Sequence, residues 1–236
     1  MTTVEEVKSW YNEKHRSYGA DTWRPYQAYL PALDYLQVRQ GKKILDVGCG
    51  TGQLLSAANE RGLQTYGLDI SQKAIQIAEN ICPDANLSTG RAENLVFPDN
   101  EFDYVVCLGA LEHFLDIGKS LEEMIRVGKE SARFCFMVPN EDYLFWKLSG
   151  TKGTEQQEIN ETLYSLEEWK KIFSDRGLQV KKIHKDLWRL NEKDVFKSFN
   201  PITILYNLFY KLIFGLLPLR YTYQYIFILT NSTSND

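Results

Sequence analysis

Metal-ligand residues are scarce in this chain. It holds 3 histidines in 236 residues, and its cysteines, Cys49, Cys82, Cys107 and Cys135, show neither zinc spacing nor a C-x-x-C pair. A structural zinc site or a dithiol redox motif is therefore excluded as the organising feature. Cys107 and Cys135 fall inside strand-like apolar runs, where a buried thiol is the ordinary outcome. Basic charge is also short: 27 Lys and Arg stand against 31 Asp and Glu, for a net charge of -4, with no Lys or Arg run. That balance argues against a nucleic-acid partner, whose phosphates would have to be neutralised. The amino terminus, Met1-Thr2-Thr3-Val4-Glu5-Glu6, lacks the basic start and apolar core of a secretory signal, so the reduced cytoplasm is the expected compartment. The sequons at Asn86, Asn160 and Asn231 are then read as coincidental. No internal repeat or low-complexity stretch is present. The longest apolar segment, residues 202–217, is too short and too interrupted by Asn207 and Lys211 for a membrane span.

What is present centres on Ile44-Leu45-Asp46-Val47-Gly48-Cys49-Gly50-Thr51-Gly52-Gln53. A β-branched apolar run ending in an acid and three alternate glycines reads as a buried strand feeding a tight turn that opens a helix. Without Cβ atoms such a turn lets a ligand lie against the main chain. The helix starting near Gln53 points free N–H groups and its positive dipole end at the same spot, which favours a carboxylate or phosphate. The dinucleotide pattern G-x-G-x-x-G is incomplete, because its third glycine position holds Gln53. A second strand, Leu63-Gln64-Thr65-Tyr66-Gly67-Leu68-Asp69-Ile70, ends in Asp69 about twenty residues beyond the loop, where an acid can accept ribose hydroxyls. Asp46 and Asp69 thus bracket one crevice.

Ile44 to Gln53, the block Gly67-Leu68-Asp69-Ile70-Ser71, and the block Gly90-Arg91-Ala92-Glu93-Asn94-Leu95-Val96-Phe97-Pro98-Asp99 with Phe102-Asp103 resemble the class I S-adenosylmethionine-dependent methyltransferases. The nearest group is the type 11 small-molecule enzymes, which include the ubiquinone and menaquinone methyltransferases. The clear match runs from about residue 43 to 139. The resemblance implies a Rossmann-like α/β fold: a seven-stranded, mostly parallel sheet with an antiparallel last strand between the fifth and sixth, helices on both faces, and an α-helical cap insertion. It implies S-adenosyl-L-methionine as cofactor, S-adenosyl-L-homocysteine as product, and no metal. The implied cofactor residues are Tyr18, Asp46, Gly48, Gly50, Gln53, Asp69, Ile70, Arg91, Ala92, Glu93 and Leu108. Arg91 stands where the family usually carries an acid, and a guanidinium has no acceptor to offer an adenine amino group. The backbone contact at Ala92 survives that change.

The chain is long enough for one α/β domain with a full core, and a single domain over 1–236 is expected. Residues 4–18 read as a helix with Val7, Trp10 and Tyr11 on one side; residues 26–40 should form a second. Residues 1–40 would act as a helical lid over the cofactor, with Tyr11 and Tyr18 touching ligand. Ser71 can cap a helix reaching about residue 80, buried through Ala74, Ile75, Ile77 and Ala78. Strands are expected at residues 85–89, 102–108, 133–138, 178–188 and 223–230. Residues 117–130 should be a helix with Leu121, Met124, Ile125 and Val127 inward. Ser165 opens another with a capping-box pattern.

For the acceptor side, the resemblance places Leu111-Glu112-His113 at the edge of the active site. His113 is the best placed of the histidines for proton abstraction, with Glu112 as its acidic neighbour and His15 and His184 less favoured. Asn140 and Tyr143, beyond the fifth strand, can face substrate. Residues 140–163, longer than an ordinary connection, read as a mobile lid carrying Phe145 and Trp146. Residues 189–222 form an insertion between strands six and seven. Its core, 202–217, could wall the active site, rest on a membrane surface or bury itself in a second copy. Each reading implies an apolar or amphipathic small-molecule acceptor. The implied reaction is in-line transfer of the methyl to an oxygen, nitrogen or carbon nucleophile. Two alternatives remain: a non-catalytic cofactor-binding subunit of a complex, and a nicotinamide oxidoreductase using the same glycine loop.

Overall fold

The computed structural model describes residues 2–21, 24–187, 212 and 215–232. Its strands are β1 (Lys43–Val47), β2 (Gln64–Asp69), β3 (Asn86–Thr89), β4 (Phe102–Leu108), β5 (Gly128–Pro139), β6 (Leu178–Lys185) and β7 (Gln224–Asn231). They form one sheet in the order β3-β2-β1-β4-β5-β7-β6. The first five are parallel, and β7 runs antiparallel to both β5 and β6. This is the Rossmann-like sheet implied by the resemblance.

Apolar residues alternate between two helical layers, which explains why the strands read as continuous hydrophobic runs. Leu45, Val47, Phe134, Phe136 and Val138 join Leu121, Met124, Trp169 and Phe173 on one face. Ile44, Cys135 and Met137 join Leu33, Leu36, Leu54 and Ala58 on the other. The helices are α1 (Val4–Tyr18), α2 (Leu30–Leu36), α3 (Gln53–Glu60), α4 (Gln72–Ile81), α5 (Ile117–Val127), α6 (Leu144–Ser149) and α7 (Leu166–Ser174). Ser71 caps α4 through the Ala74 N–H, and Ser165 forms a full capping box with Glu168 on α7. The Trp169 indole donates to the Pro139 carbonyl at 3.0 Å, fastening α7 to the end of β5.

Several boundaries differ from expectation. The helix expected over 26–40 is a 3₁₀ turn, Tyr26–Ala28, followed by the short α2. Pro25 holds extended backbone before the turn, and Gln37 at φ 52° breaks the helix in the left-handed region. β5 begins at Gly128, five residues before the expected 133, through an irregular register against β4. β6 ends at Lys185, and the expected end at Trp188 lies outside the described residues. Most of the insertion at 189–222 and of its core at 202–217 also lies outside them. Among the described residues no helix is long and apolar enough to cross a membrane. All four cysteines are buried and free.

Candidate functional site

The order of the sheet reverses between β1, which leads outward to β2 and β3, and β4, which leads the other way to β5. At such a switch point the loops leaving two neighbouring parallel strands diverge and open a crevice at the carboxyl ends. A cavity of about 330 Å³ occupies that crevice here.

One end is made by β1, β2 and the turn into α3. The Gly48 and Cys49 N–H groups both donate to the Leu68 carbonyl, at 2.7 and 3.1 Å, pinning the turn to the end of β2. Gly48 has φ +77°, and a Cβ there would lie 2.5 Å from the Ala110 Cβ. Only glycine fits that crossing of the two loops. Asp69 accepts from the Gly50 N–H and the Ser71 N–H, each at 2.8 Å, one through each carboxylate oxygen. Both oxygens keep a further lone pair for a ligand. Burial raises the Asp69 pKa, an effect opposed by these N–H donors and His15. Asp46 is 4% exposed and lines the cavity, and its Oδ1 has no hydrogen-bond partner. Burial, reinforced by Asp69, pushes its carboxyl up to about 8.

The opposite end comes from distant pieces of chain. α1 lies across the opening, fastened to α4 by Asn12, whose Oδ1 accepts from the Ser71 hydroxyl at 2.8 Å and the Lys73 N–H at 3.0 Å. The 3₁₀ turn Leu111–His113 follows β4. Asn160 holds it: its Nδ2 donates to the His113 and Phe114 carbonyls, and its own carbonyl meets His113 Nδ1 at 2.7 Å. The Thr162 N–H adds a bond to the Glu112 carbonyl. Burial lowers the His113 pKa to about 4, so at neutral pH the ring is uncharged and donates from Nδ1. Its Nε2 lies 3.7 Å from Glu112 Oε1, a contact with a neutral ring and not an ion pair. Burial, with Glu161 adding to it, raises Glu112 to about 8, and Glu112 Oε2 has no partner. Tyr11 donates to Gln156 Oε1 at 2.9 Å; burial and the charges of Glu112, Asp69 and Glu161 hold its phenol well above the ordinary value. The Arg24 guanidinium reaches the cavity held by Asp186, at 2.6 Å, and by Gln224.

Of the residues singled out from sequence, the fold brings Tyr11, Asp46, Gly48, Gly50, Asp69, Ile70, Arg91, Ala92, Glu93, Leu108 and His113 to the cavity wall. Four others do not line it. Tyr18 is 53% exposed at the end of α1, over the Lys14 ammonium. Gln53 turns away, and its Nε2 donates to the Ala20 carbonyl at 3.5 Å. Asn140 is fully buried as a clamp, donating to the Arg220 and Thr222 carbonyls and accepting from the Asp142 N–H. Tyr143 packs among Phe145, Trp146 and Tyr223. Glu93 lines the cavity, yet its oxygens accept from the Leu115 and Asp116 N–H groups and from Arg91 Nε. The lid expected over 140–163 does border the cavity, through Thr154, Gln156 and Glu161 and not through Phe145 or Trp146. His15, ranked below His113 from the sequence, is 2% exposed and lines the cavity next to Gly50. Its signal was in the sequence: Val7, Tyr11 and His15 repeat every four residues and share one helix face. Arg24 and Gln224 carried no comparable pattern.

Residues 45–136 match the profile of the type 11 family described as a methyltransferase domain. These residues are similar to a methyltransferase domain. The matched stretch runs from β1 into β5 and includes the glycine turn, Asp69, Ala92 and the turn bearing Glu112. The chain is 26% identical over 194 residues to the uncharacterized methyltransferase YcgJ of Bacillus subtilis, covering 76% of this chain and 75% of that one. It is 31% identical over 155 residues to a ubiquinone biosynthesis O-methyltransferase of Hahella chejuensis, covering 59% of this chain and 65% of that one. Against two demethylmenaquinone methyltransferases it spans only 40% and 45% of their length. Among solved structures, the [4+2]-cyclase SpnF superposes with a TM-score of 0.71 at 15% identity, covering 99% of this chain and 97% of that one. That likeness concerns the fold alone, and a cyclase on such a fold illustrates that a fold does not prescribe one reaction. Among the described residues no group of three or more His, Cys, Asp or Glu is placed to hold a metal.

Proposed function

We propose that the protein binds S-adenosylmethionine in this cavity and transfers its methyl to a nucleophilic oxygen, nitrogen or carbon of a small, apolar or amphipathic acceptor. The observation that carries the reading is the pairing, inside a methyltransferase domain, of a steric cradle at Gly48 with a buried, partnerless Asp46 Oδ1 on the same crevice. A buried acceptor without a donor costs about 1–3 kcal/mol, and a ligand bringing an ammonium or N–H group removes that cost.

The residues fit the methyl donor group by group. Asp46 can receive the amino group of its methionine moiety. Asp69, its orientation set by the Gly50 and Ser71 N–H groups, has lone pairs free for the ribose hydroxyls. Ala92, 4% exposed and following β3, can present its backbone to the adenine, and Leu108 borders the same wall. Arg91 is tied to Glu93 and leaves the adenine amino group without an acceptor at that position. Bound S-adenosylmethionine supplies a methyl already activated on a sulfonium. The chain's tasks are then to orient the nucleophile, exclude water and, for O–H or N–H acceptors, take a proton. His15 and Tyr11, on the α1 lid, close the cavity over the glycine turn. Two similar chains, the ubiquinone biosynthesis O-methyltransferase and an ajmaline N-methyltransferase of Rauvolfia serpentina, differ in the nucleophile their names give.

A turnover assay tests the reading. The full chain is incubated with methyl-labelled S-adenosylmethionine and a panel of quinols, phenols, amines, sugars and lipids, and S-adenosylhomocysteine is measured. Acceptor-dependent product that disappears in Asp69→Ala is expected. Absence of product across the panel, with the sulfur nucleotide bound, would favour a non-catalytic cofactor-binding subunit.

A further inference from the structure

The inner face of α1 roofs the cavity. Of the 15 residues of α1, Val7 and His15 are the buried ones, and among the described residues neither joins the packed core. Both line the cavity instead, with Tyr11 between them. The packing of this helix therefore depends on what fills the space beneath it.

Polar clasps fasten the same helix on two sides. On the side assigned to the methyl donor, Asn12 Oδ1 accepts from the Ser71 hydroxyl at 2.8 Å and the Lys73 N–H at 3.0 Å. The Ser71 N–H is in turn one of the two that orient Asp69. On the far side, the Tyr11 hydroxyl donates to Gln156 Oε1 and the Thr2 hydroxyl to the Ile159 carbonyl, each at 2.9 Å. Gln156 and Ile159 belong to the connection whose Asn160 holds the turn Leu111–His113. None of the described side chains over 154–162 is buried, so that connection has little packing of its own and depends on such bonds for its order.

We propose that α1 is a strap coupling the two ends of the cavity. Binding of the donor draws the helix down, and Gln156 and Ile159 pass that closure to the connection at 154–162, setting the acceptor wall before the acceptor enters. Gln156 is thus a positioning residue, acting through α1. This rests on the methyltransferase reading and adds an order to its two binding events. The physical basis is a difference in contacts between two states. A nucleotide over the glycine turn meets Val7, Tyr11 and His15 only when the helix is down, and a ligand shifts an equilibrium by as much as it prefers one state. Each clasp exchanges for bonds to water at a net cost of about 1 kcal/mol, so the empty strap opens readily and the filled one does not. By reciprocity, whatever holds the connection in place also tightens donor binding.

Hydrogen exchange read by mass spectrometry on the full chain, with and without saturating S-adenosylhomocysteine, tests the coupling. The Gln157, Ile159 and Asn160 N–H groups bond to the Thr154 and Gln156 carbonyls inside the connection, so their exchange reports its order. The nucleotide should slow exchange about tenfold both in α1 and over 154–162. The double variant Thr2→Val, Gln156→Ala removes both far-side clasps and leaves Asn12. In it α1 should still be slowed, while 154–162 should exchange within about twofold of the ligand-free rate. Slowing confined to α1 in the wild-type chain would overturn the proposal. So would slowing of 154–162 that survives in the double variant, since the nucleotide would then order the connection without the strap. Should that variant fail to fold, Tyr11→Phe deletes one hydroxyl and should cut the slowing over 154–162 to about threefold; an unchanged slowing overturns the coupling. Failure of S-adenosylhomocysteine to bind at all, read by calorimetry, would strike the methyltransferase reading instead, so the two failures are distinguishable.

Discussion

The two ends of the cavity are built on different plans. The end assigned to the methyl donor is made from neighbouring parallel strands and the turns that leave them, with Asp46, Gly48, Gly50 and Asp69 inside a span of 24 residues. Its geometry is held by backbone bonds such as Gly48 and Cys49 to Leu68. The end proposed for the acceptor is assembled from α1, the turn after β4, the connection at 154–162 and the start of β7, held mainly by side chains such as Asn12, Asn160 and Arg24. A backbone-made site is set by the fold, whereas a side-chain-made site can be retuned without disturbing the sheet. On the proposed reading, chemistry shared by a family belongs at the first, and acceptor choice at the second.

That contrast can be broken from either side. The largest effect is expected for Gly48→Ala, which combines φ +77° with a 2.5 Å approach to Ala110. It should lower stability by about 3 kcal/mol in thermal unfolding and reduce S-adenosylhomocysteine affinity at least tenfold. Asp69→Ala strands the Gly50 and Ser71 N–H groups and removes the proposed ribose acceptor; a loss of about 2 kcal/mol and a tenfold or greater fall in nucleotide affinity should follow. Unchanged affinity would remove Asp69 from the site.

The buried acids give a pH signature next in size. Asp46 and Glu112 are both raised to about 8, so in the ligand-free chain the folded state holds protons that the unfolded state releases above its ordinary carboxyl range. Their contribution is complete below about pH 4.5 and is lost as pH rises through 8. His113, lowered to about 4, acts in the opposite sense, but only between pH 4 and 6.5. Urea unfolding should therefore show stability falling by on the order of 2 kcal/mol between pH 6.5 and 8, and Asp46→Asn should reduce the fall. Stability that rises across that interval would contradict the burial argument.

At the acceptor end, Asn160→Ala removes the two Nδ2 bonds that hold the turn carrying Glu112 and His113. A cost of about 1 kcal/mol is expected, with nucleotide affinity changed less than threefold. The smallest effect is expected for Gln53→Ala, because Gln53 faces the Ala20 carbonyl and not the cavity. Its nucleotide affinity should stay within about twofold, under 0.5 kcal/mol.

The same division explains what was legible in the sequence. Gly48, Asp69 and β4 could be placed because strand, turn and helix signals follow one another along a short stretch of chain. The antiparallel β7 came from the family resemblance and is present between β5 and β6. Asn140 and Tyr143 were misplaced because position after a strand does not say which way a side chain turns. Asn140 instead satisfies the backbone of the segment entering β7. Arg24 was not found because its partners, Asp186 and Gln224, are 162 and 200 residues away, a separation that no local pattern encodes. The helix expected over 26–40 overran because apolar spacing continued past Gln37, whereas backbone geometry did not.

Calorimetric titration of the full chain with S-adenosylmethionine, S-adenosylhomocysteine and NAD decides most sharply whether the crevice at the β1/β4 switch point is a methyl-donor site. One equivalent of either sulfur nucleotide should bind, with no measurable heat from NAD. Binding of NAD, or of none of the three, would contradict the assignment of Asp46, Gly48 and Asp69.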